Sequence, residues 1–195
     1  MDGIRGPGGA GKSLLRGIVR LAGLHSDGMR HFGDTPPAFL NSLAPLIAFP
    51  LVTSGLVLAA GAVREAMTDF AVTLVLLLAP PVLSERLARL WRRDDAWLRY
   101  AVAYNWCQWI MPVVFVLCGL GFGLLVAAGL PAGVAQFVAL AAMLGYWLAF
   151  HWFLARRGLG VSALRAVVVV AVVNLGPMLL IAPWALGMAA SGPPR

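Results

Sequence analysis

The fold is decided between Tyr100 and Ala155, where the chain reads YAVAYNWCQWIMPVVFVLCGLGFGLLVAAGLPAGVAQFVALAAMLGYWLAFHWFLA. This run contains no Asp, Glu, Lys or Arg, and its one histidine is His151. A helix crosses the roughly 30 Å hydrocarbon core with about 20 apolar residues, so the run is long enough for two crossings. The glycines and proline of residues 129–133 supply a turn between them. The sequence therefore predicts a transmembrane helical hairpin, with spans at about 101–127 and 131–155.

Three more stretches are apolar enough to cross a bilayer. A charged side chain at the bilayer centre costs about 2.5–3.5 kcal/mol, so spans are expected where such side chains are missing. These spans cover about 38–62, 66–84 and 164–187; the middle one is the shortest and is expected to end near Pro80 and Pro81. The predicted fold class is all-α, a polytopic bundle of five spans over residues 38–190. An N-terminal segment, 1–37, precedes it, with a glycine-rich tail and a basic amphipathic stretch.

Composition and charge limit the class of protein. Of 195 residues, 61% are hydrophobic and 12% charged, whereas soluble domains carry about 25% charged residues. The net charge of +7 is spread over short clusters between apolar runs, which does not favour nucleic-acid binding. Cys107 and Cys118 are eleven positions, roughly 16 Å, apart on a helix, so no disulfide is expected between them.

The basic residues predict how the chain is oriented. With five spans and the N-terminus inside, 13 of the 15 basic residues lie on the inner side, and the outer side holds only Arg64 and Arg195. Cytoplasmic loops are enriched in Lys and Arg. We therefore expect a multi-pass membrane protein with a cytoplasmic N-terminus and an external C-terminus. Fourteen of the fifteen basic residues are arginine, which is typical of a GC-rich bacterial genome, so the expected location is a bacterial inner membrane.

Four arginines follow the second span. Large apolar side chains recur at helical spacing over residues 83–91, beside Arg86, Arg89, Arg92 and Arg93. This pattern predicts a helix that either extends the second span or lies on the inner interface. In both cases the arginines would contact anionic lipid headgroups.

The segment Gly6–Ser13 matches the phosphate-binding loop pattern G-x-x-x-x-G-K-S. That loop works when it joins a buried strand to a helix, and only five residues precede Gly6. The preferred interpretation is a disordered glycine-rich tail; nucleotide binding is the alternative. No cofactor is expected.

Polar residues inside the predicted spans are few. Asn105 and Gln108 are three positions apart and share a helix face; together with Asn174 they form either hydrogen bonds between helices or, less favoured, the lining of a path. His151, among aromatic residues, is expected to belong to an interfacial belt. No acidic or basic group at membrane depth, nucleophile–base pair or metal-ligand set is evident. The sequence therefore predicts a protein without enzymatic activity, with no catalytic, cofactor-binding or metal residues.

Small residues form two stripes at four-residue spacing. One is Gly119, Gly123 and Ala127, and the other is Ala141, Gly145 and Ala149. Such stripes allow helices to approach closely. Packing within the hairpin is the preferred interpretation, and self-association is the alternative.

The arrangement resembles the Yip family of small five-span membrane proteins, which has bacterial members. The resemblance covers about residues 38–190 and rests on size, span count, orientation and a first span bearing Pro45 and Pro50. Residues 32–39 (FGDTPPAF) and 104–106 (YNW) also look like features of small alphaproteobacterial membrane proteins. The resemblance implies a scaffold or interaction protein that acts on membrane proteins or lipid, with a homo-oligomer among the options. A small-solute transporter or channel subunit that uses the polar residues of the third span is the alternative.

Overall fold

The regular structure of this protein is helical throughout the region described. A computed structural model describes the backbone of residues 7–191 and the side chains of residues 11–183. It contains seven α-helices and one short 3-10 helix, Ser26–His31. The α-helices are α1 Pro7–Ala22, α2 Pro36–Ala59, α3 Val63–Leu90, α4 Asp94–Cys107, α5 Ile110–Ala127, α6 Ala132–Gly158 and α7 Ala163–Ser191.

Five of these helices are long and apolar enough to cross a membrane: α2, α3, α5, α6 and the Ala163–Pro183 part of α7. This confirms the predicted class, an all-α multi-pass bundle with five spans. Local sequence sets the boundaries. Thr35 caps α2 by accepting a hydrogen bond from the Ala38 N–H, and Pro36 follows at the first helical position. Gly129, with φ +91°, allows the tight turn between α5 and α6.

The second span is longer than the sequence predicts. α3 continues through Pro80 and Pro81 to Leu90 instead of ending at the proline pair. The predicted helix over residues 83–91 is therefore an extension of the span. Both prolines are buried, as are Ser84 and Ala88, so packing against neighbouring helices offsets the backbone hydrogen bonds that the prolines remove.

The third span is shorter than predicted. The expected helix over 101–127 is broken near residues 108–109, so that α4 and α5 are separate helices. Pro112 explains the break, because proline has no N–H for the carbonyl of Gln108 and its ring collides with that carbonyl. In the first turn of α5 the same proline is tolerated. The crossing is made by α5 alone, and α4 packs against α2, α3 and α6.

The spanning helices form a row in the order α2, α3, α7, α6, α5, since these neighbours share the extensive contacts. One end of the bundle holds α1, the starts of α2 and α7 and the ends of α3 and α6; we call it the α1 end. The buried core lies at this end, around α4. Its largest fully buried apolar side chains are Phe150, Leu21, Leu154, Leu159 and Val169.

Away from the α1 end, few side chains of the α5–α6 hairpin are buried. Only 6% of the apolar stretch of α5 is buried inside the protein, and Phe115, Leu124 and Phe137 are largely exposed. Lipid tails are as apolar as leucine, so this exposure is not penalised in a bilayer. The hairpin of α5 and α6 therefore presents most of its surface to lipid or to a partner.

The predicted disordered tail is wrong from Pro7 onward, where α1 begins. Proline favours the first position of a helix, and α1 packs onto the 3-10 helix. The Ser13 hydroxyl is hydrogen-bonded to His31 Nδ1 at 3.0 Å. A Cβ on Gly17 would lie 2.7 Å from the Cβ of His31, so this approach requires glycine. Residues 7–13 thus form a helix rather than a phosphate-binding loop, and Gly6 lies outside the described residues.

Candidate functional site

Asn105 is part of a hydrogen-bonded connection between two helices. It is 2% exposed, and its Nδ2 donates to the Ser42 hydroxyl of α2 at 2.9 Å. Ser42 in turn donates to the carbonyl of Phe39 at 2.7 Å. The amide therefore joins α4 to the start of α2, which is the interhelical use expected from the sequence.

The other two predicted amides lie in different surroundings. Gln108 is half-buried at the junction between α4 and α5. Asn174 donates to the carbonyl of Val170 in its own helix at 2.7 Å. Among the described residues no hydrogen bond joins Asn174 to Asn105 or Gln108. Asn105 and Asn174 each bond to a different partner.

The four predicted lipid-contacting arginines, Arg86, Arg89, Arg92 and Arg93, are all exposed at the end of α3 and the turn that follows. Arg89 lies 2.6 Å from the Glu85 carboxylate and 3.9 Å from that of Asp94. The α6–α7 turn lies alongside, because the Arg165 guanidinium stacks over the Trp91 ring at 5.4 Å. Two helix connections thus present arginines on one surface.

The α1 end is strongly basic. Within the described residues it carries twelve basic and five acidic side chains, and four of the five carboxylates are already paired with Arg20, Arg89 or Arg99. We call these twelve side chains the basic surface: Lys12, Arg16, Arg20, Arg30, Arg86, Arg89, Arg92, Arg93, Arg99, Arg156, Arg157 and Arg165. Such a surface attracts anionic lipid headgroups.

His151 is buried, not in an interfacial belt as expected from the sequence. It is 5% exposed, stacks on Tyr104 with ring centroids 5.3 Å apart and contacts the edge of Trp147 at 5.6 Å. His151 Nδ1 and Trp147 Nε1 are buried, and neither has a hydrogen-bond partner among the residues that the structure describes. The sequence did not reveal this cluster because Tyr104 comes from α4, which was assigned to a span instead of to the core.

Burial also affects Tyr100, one turn before Tyr104 on α4. Desolvation raises the pKa of the Tyr100 phenol well above its ordinary value, and the neighbouring Tyr104 adds to the increase. The ring packs against the end of α6, since a Cβ on Gly158 would lie 2.9 Å from it. The phenol therefore stays neutral and acts as part of the core at the α1 end.

The small-residue stripes do not face each other. A Cβ added to Gly119, Gly123 or Gly145 would meet no atom within 4 Å, and the alanines of both stripes are exposed. The preferred interpretation, packing within the hairpin, is therefore wrong. The two helices meet through other faces: Gly123 and Gly145 point away from the protein, and Gly119 borders a second groove between α5 and α6.

A groove runs between α5 and α6 on a different face of the hairpin; we call it the hairpin groove. Its volume is about 610 Å³ and its walls are apolar, from Ile110 to Leu125 on α5 and from Val138 to Tyr146 on α6. Ala22, at the end of α1, closes one end. The Tyr146 hydroxyl donates to the Ala22 carbonyl at 2.9 Å and fixes α1 there.

No group of three or more His, Cys, Asp or Glu side chains that could hold a metal ion is found in the part of the chain that was described. No protein-family model matches this chain, and no curated protein and no solved structure matches it.

Proposed function

We propose that this chain is a non-enzymatic scaffold or interaction protein of a bacterial inner membrane, similar in kind to the Yip family. The observation that carries the proposal is the pair of outward-facing stripes on α5 and α6. Each stripe offers an exposed small-residue surface, and α5 is the span that the rest of the bundle covers least. Helices in a bilayer associate through surfaces of this kind.

The distribution of packing supports the same role. The core at the α1 end holds the bundle together and leaves the α5–α6 hairpin free along most of its length. Asn105 and Asn174 are engaged in hydrogen bonds within the protein, so their polarity serves the fold. The basic surface faces the cytoplasm in this proposal, as the positive-inside tendency favours.

A small-solute transporter or channel subunit is the second candidate. The two unpartnered buried nitrogens, His151 Nδ1 and Trp147 Nε1, favour it because unpaired polar atoms in a core are uncommon. Solute flux in liposomes that is lost in His151→Phe, with the free energy of unfolding unchanged, would establish this candidate.

Cysteine crosslinking in membranes tests the scaffold proposal. Cys118 lies on α5 and is replaced by serine first, whereas Cys107 is 1% exposed and can remain. In that background Gly123→Cys places a thiol on the stripe, and Leu124→Cys places one at the same depth, about 100° around the helix. We expect a disulfide-linked adduct after mild oxidation for Gly123→Cys and little for Leu124→Cys. Equal yields, or no adduct for either variant, would argue against the stripe as an interaction surface.

A further inference from the structure

The hairpin groove has the length and chemistry of a lipid-chain site. Its wall on α5 extends over sixteen residues, from Ile110 to Leu125, which is roughly 24 Å of helix. One leaflet of hydrocarbon is about half of the 30 Å core. A volume of about 610 Å³ lies in the range of small-molecule sites. The groove is therefore long and wide enough to hold one acyl chain across the depth of one leaflet.

The apolar wall continues onto α1. Leu15, Val19 and Ala22 follow each other at four- and three-residue spacing, so they form one edge of that helix. Ala22 lines the groove, and Leu15 and Val19 are 63% and 69% exposed. Exposed apolar side chains on a helix that closes a membrane groove indicate that this edge contacts lipid.

A basic stripe lies directly beside this edge. Lys12, Arg16 and Arg20 repeat every four residues on the exposed face of α1. Arg20 is paired with Asp27, whereas Lys12 and Arg16 form no ion pair within the described residues. Trp109 precedes the groove residue Ile110 and is 43% exposed. Tryptophan is enriched at the headgroup level of a bilayer, so Trp109 indicates where that level lies. The helix whose end lines the groove thus carries two positive charges that no carboxylate among the described residues neutralises, roughly 9 and 15 Å along its axis from Ala22.

We propose that the hairpin groove binds one anionic phospholipid, with an acyl chain between α5 and α6 and its phosphate against Lys12 and Arg16. Charge identifies this occupant over a second copy of the chain. A second copy in the same membrane orientation would carry its own basic α1 at the same end of the bundle, where like charges repel. The α5 stripe lies on the opposite side of α5 from the groove residues, so a partner on that stripe and a lipid in the groove can be bound at the same time.

Photolabelling of the full chain in nanodiscs tests the proposal. The probes are phosphatidylglycerol and phosphatidylcholine with the same diazirine-bearing acyl chain, and peptides of α5 and α6 are mapped by mass spectrometry. We expect phosphatidylglycerol to label the groove preferentially. Lys12→Gln combined with Arg16→Gln should lower the phosphatidylglycerol-to-phosphatidylcholine ratio by about twenty-five-fold, since one basic side chain near an anionic surface gives about a five-fold preference.

Two matched controls keep the test specific. Arg92→Gln with Arg93→Gln removes the same charge elsewhere on the basic surface and should leave the ratio within about two-fold, because exposed charges are screened over about 10 Å. Gly121→Leu fills the groove and should abolish labelling by both lipids, whereas Gly55→Leu, in equally open space on α2, should not.

Three results would overturn the proposal. One is an unchanged lipid ratio after loss of Lys12 and Arg16, and another is an equal fall in the Arg92 and Arg93 control. The third is that residues of the groove are crosslinked to a second copy of the chain and are not labelled by either lipid. Size-exclusion profiles of every variant establish that each protein is folded.

Discussion

The bond between Asn105 and Ser42 can be measured as a coupling energy. Asn105→Ala removes the donor of the 2.9 Å bond, and Ser42→Ala removes its acceptor. Hydrogen bonds between helices in a bilayer contribute about 0.6 kcal/mol on average and up to about 1.7 kcal/mol. Both residues are nearly fully buried, so we expect a coupling in the upper half of that range, about 1–1.5 kcal/mol. Ser42→Ala should cost more than this, because it leaves the buried Asn105 amide without its partner. Asn105→Ala should cost less than Ser42→Ala, because the Ser42 hydroxyl still donates to the Phe39 carbonyl.

The assay is a double-mutant cycle on the free energy of unfolding, measured by denaturant titration in mixed micelles. Asn174→Ala is the control partner for Ser42→Ala, because the amide of Asn174 bonds within its own helix. That control cycle should be additive within about 0.5 kcal/mol. Additivity of Asn105→Ala and Ser42→Ala would refute the bond, and with it the docking of α4 on α2 as described.

Three more predictions concern α1 and the topology. Gly28→Ala should lower the melting temperature and expose α1 to protease, because the new Cβ would lie 3.0 Å from the Gly17 carbonyl oxygen, which is backbone and cannot move aside; unchanged proteolysis would contradict this. Tyr146→Phe should cost about 1 kcal/mol of unfolding free energy by removing the bond to Ala22, and an effect below about 0.3 kcal/mol would mean that the hydroxyl does not hold α1. A reporter that is active only outside the cytoplasm should be active when fused after Arg195, whereas an inactive, well-expressed fusion would reverse the proposed orientation.

The number and type of the spanning helices were predictable because hydrocarbon imposes a length and a polarity on every crossing. The break before Pro112 could have been predicted, since a proline twelve residues inside an apolar run favours a helix boundary. The continuation of α3 through Pro80 and Pro81 was not, because it depends on packing at the α1 end. Local sequence thus located the membrane-spanning segments but not the core.

The site was less predictable for a related reason. Periodicity shows which residues share a helix face but not which helix that face meets, so the stripes at Gly123 and Gly145 were assigned to the wrong partner. The groove closed by Ala22 joins residues more than a hundred positions apart. No single-chain pattern encodes such a contact.

That long-range contact has a consequence for synthesis. The segment α1 leaves the ribosome before any span, yet Tyr146, which holds its end, is made 124 residues later. Since chains emerge N-terminus first, the early helices enter the bilayer while α1 has only the adjacent 3-10 helix to pack against, and not yet α4 or α6. The assembly of the core is therefore a late step, and a chain truncated before α6 would insert its first spans correctly and still lack its interior.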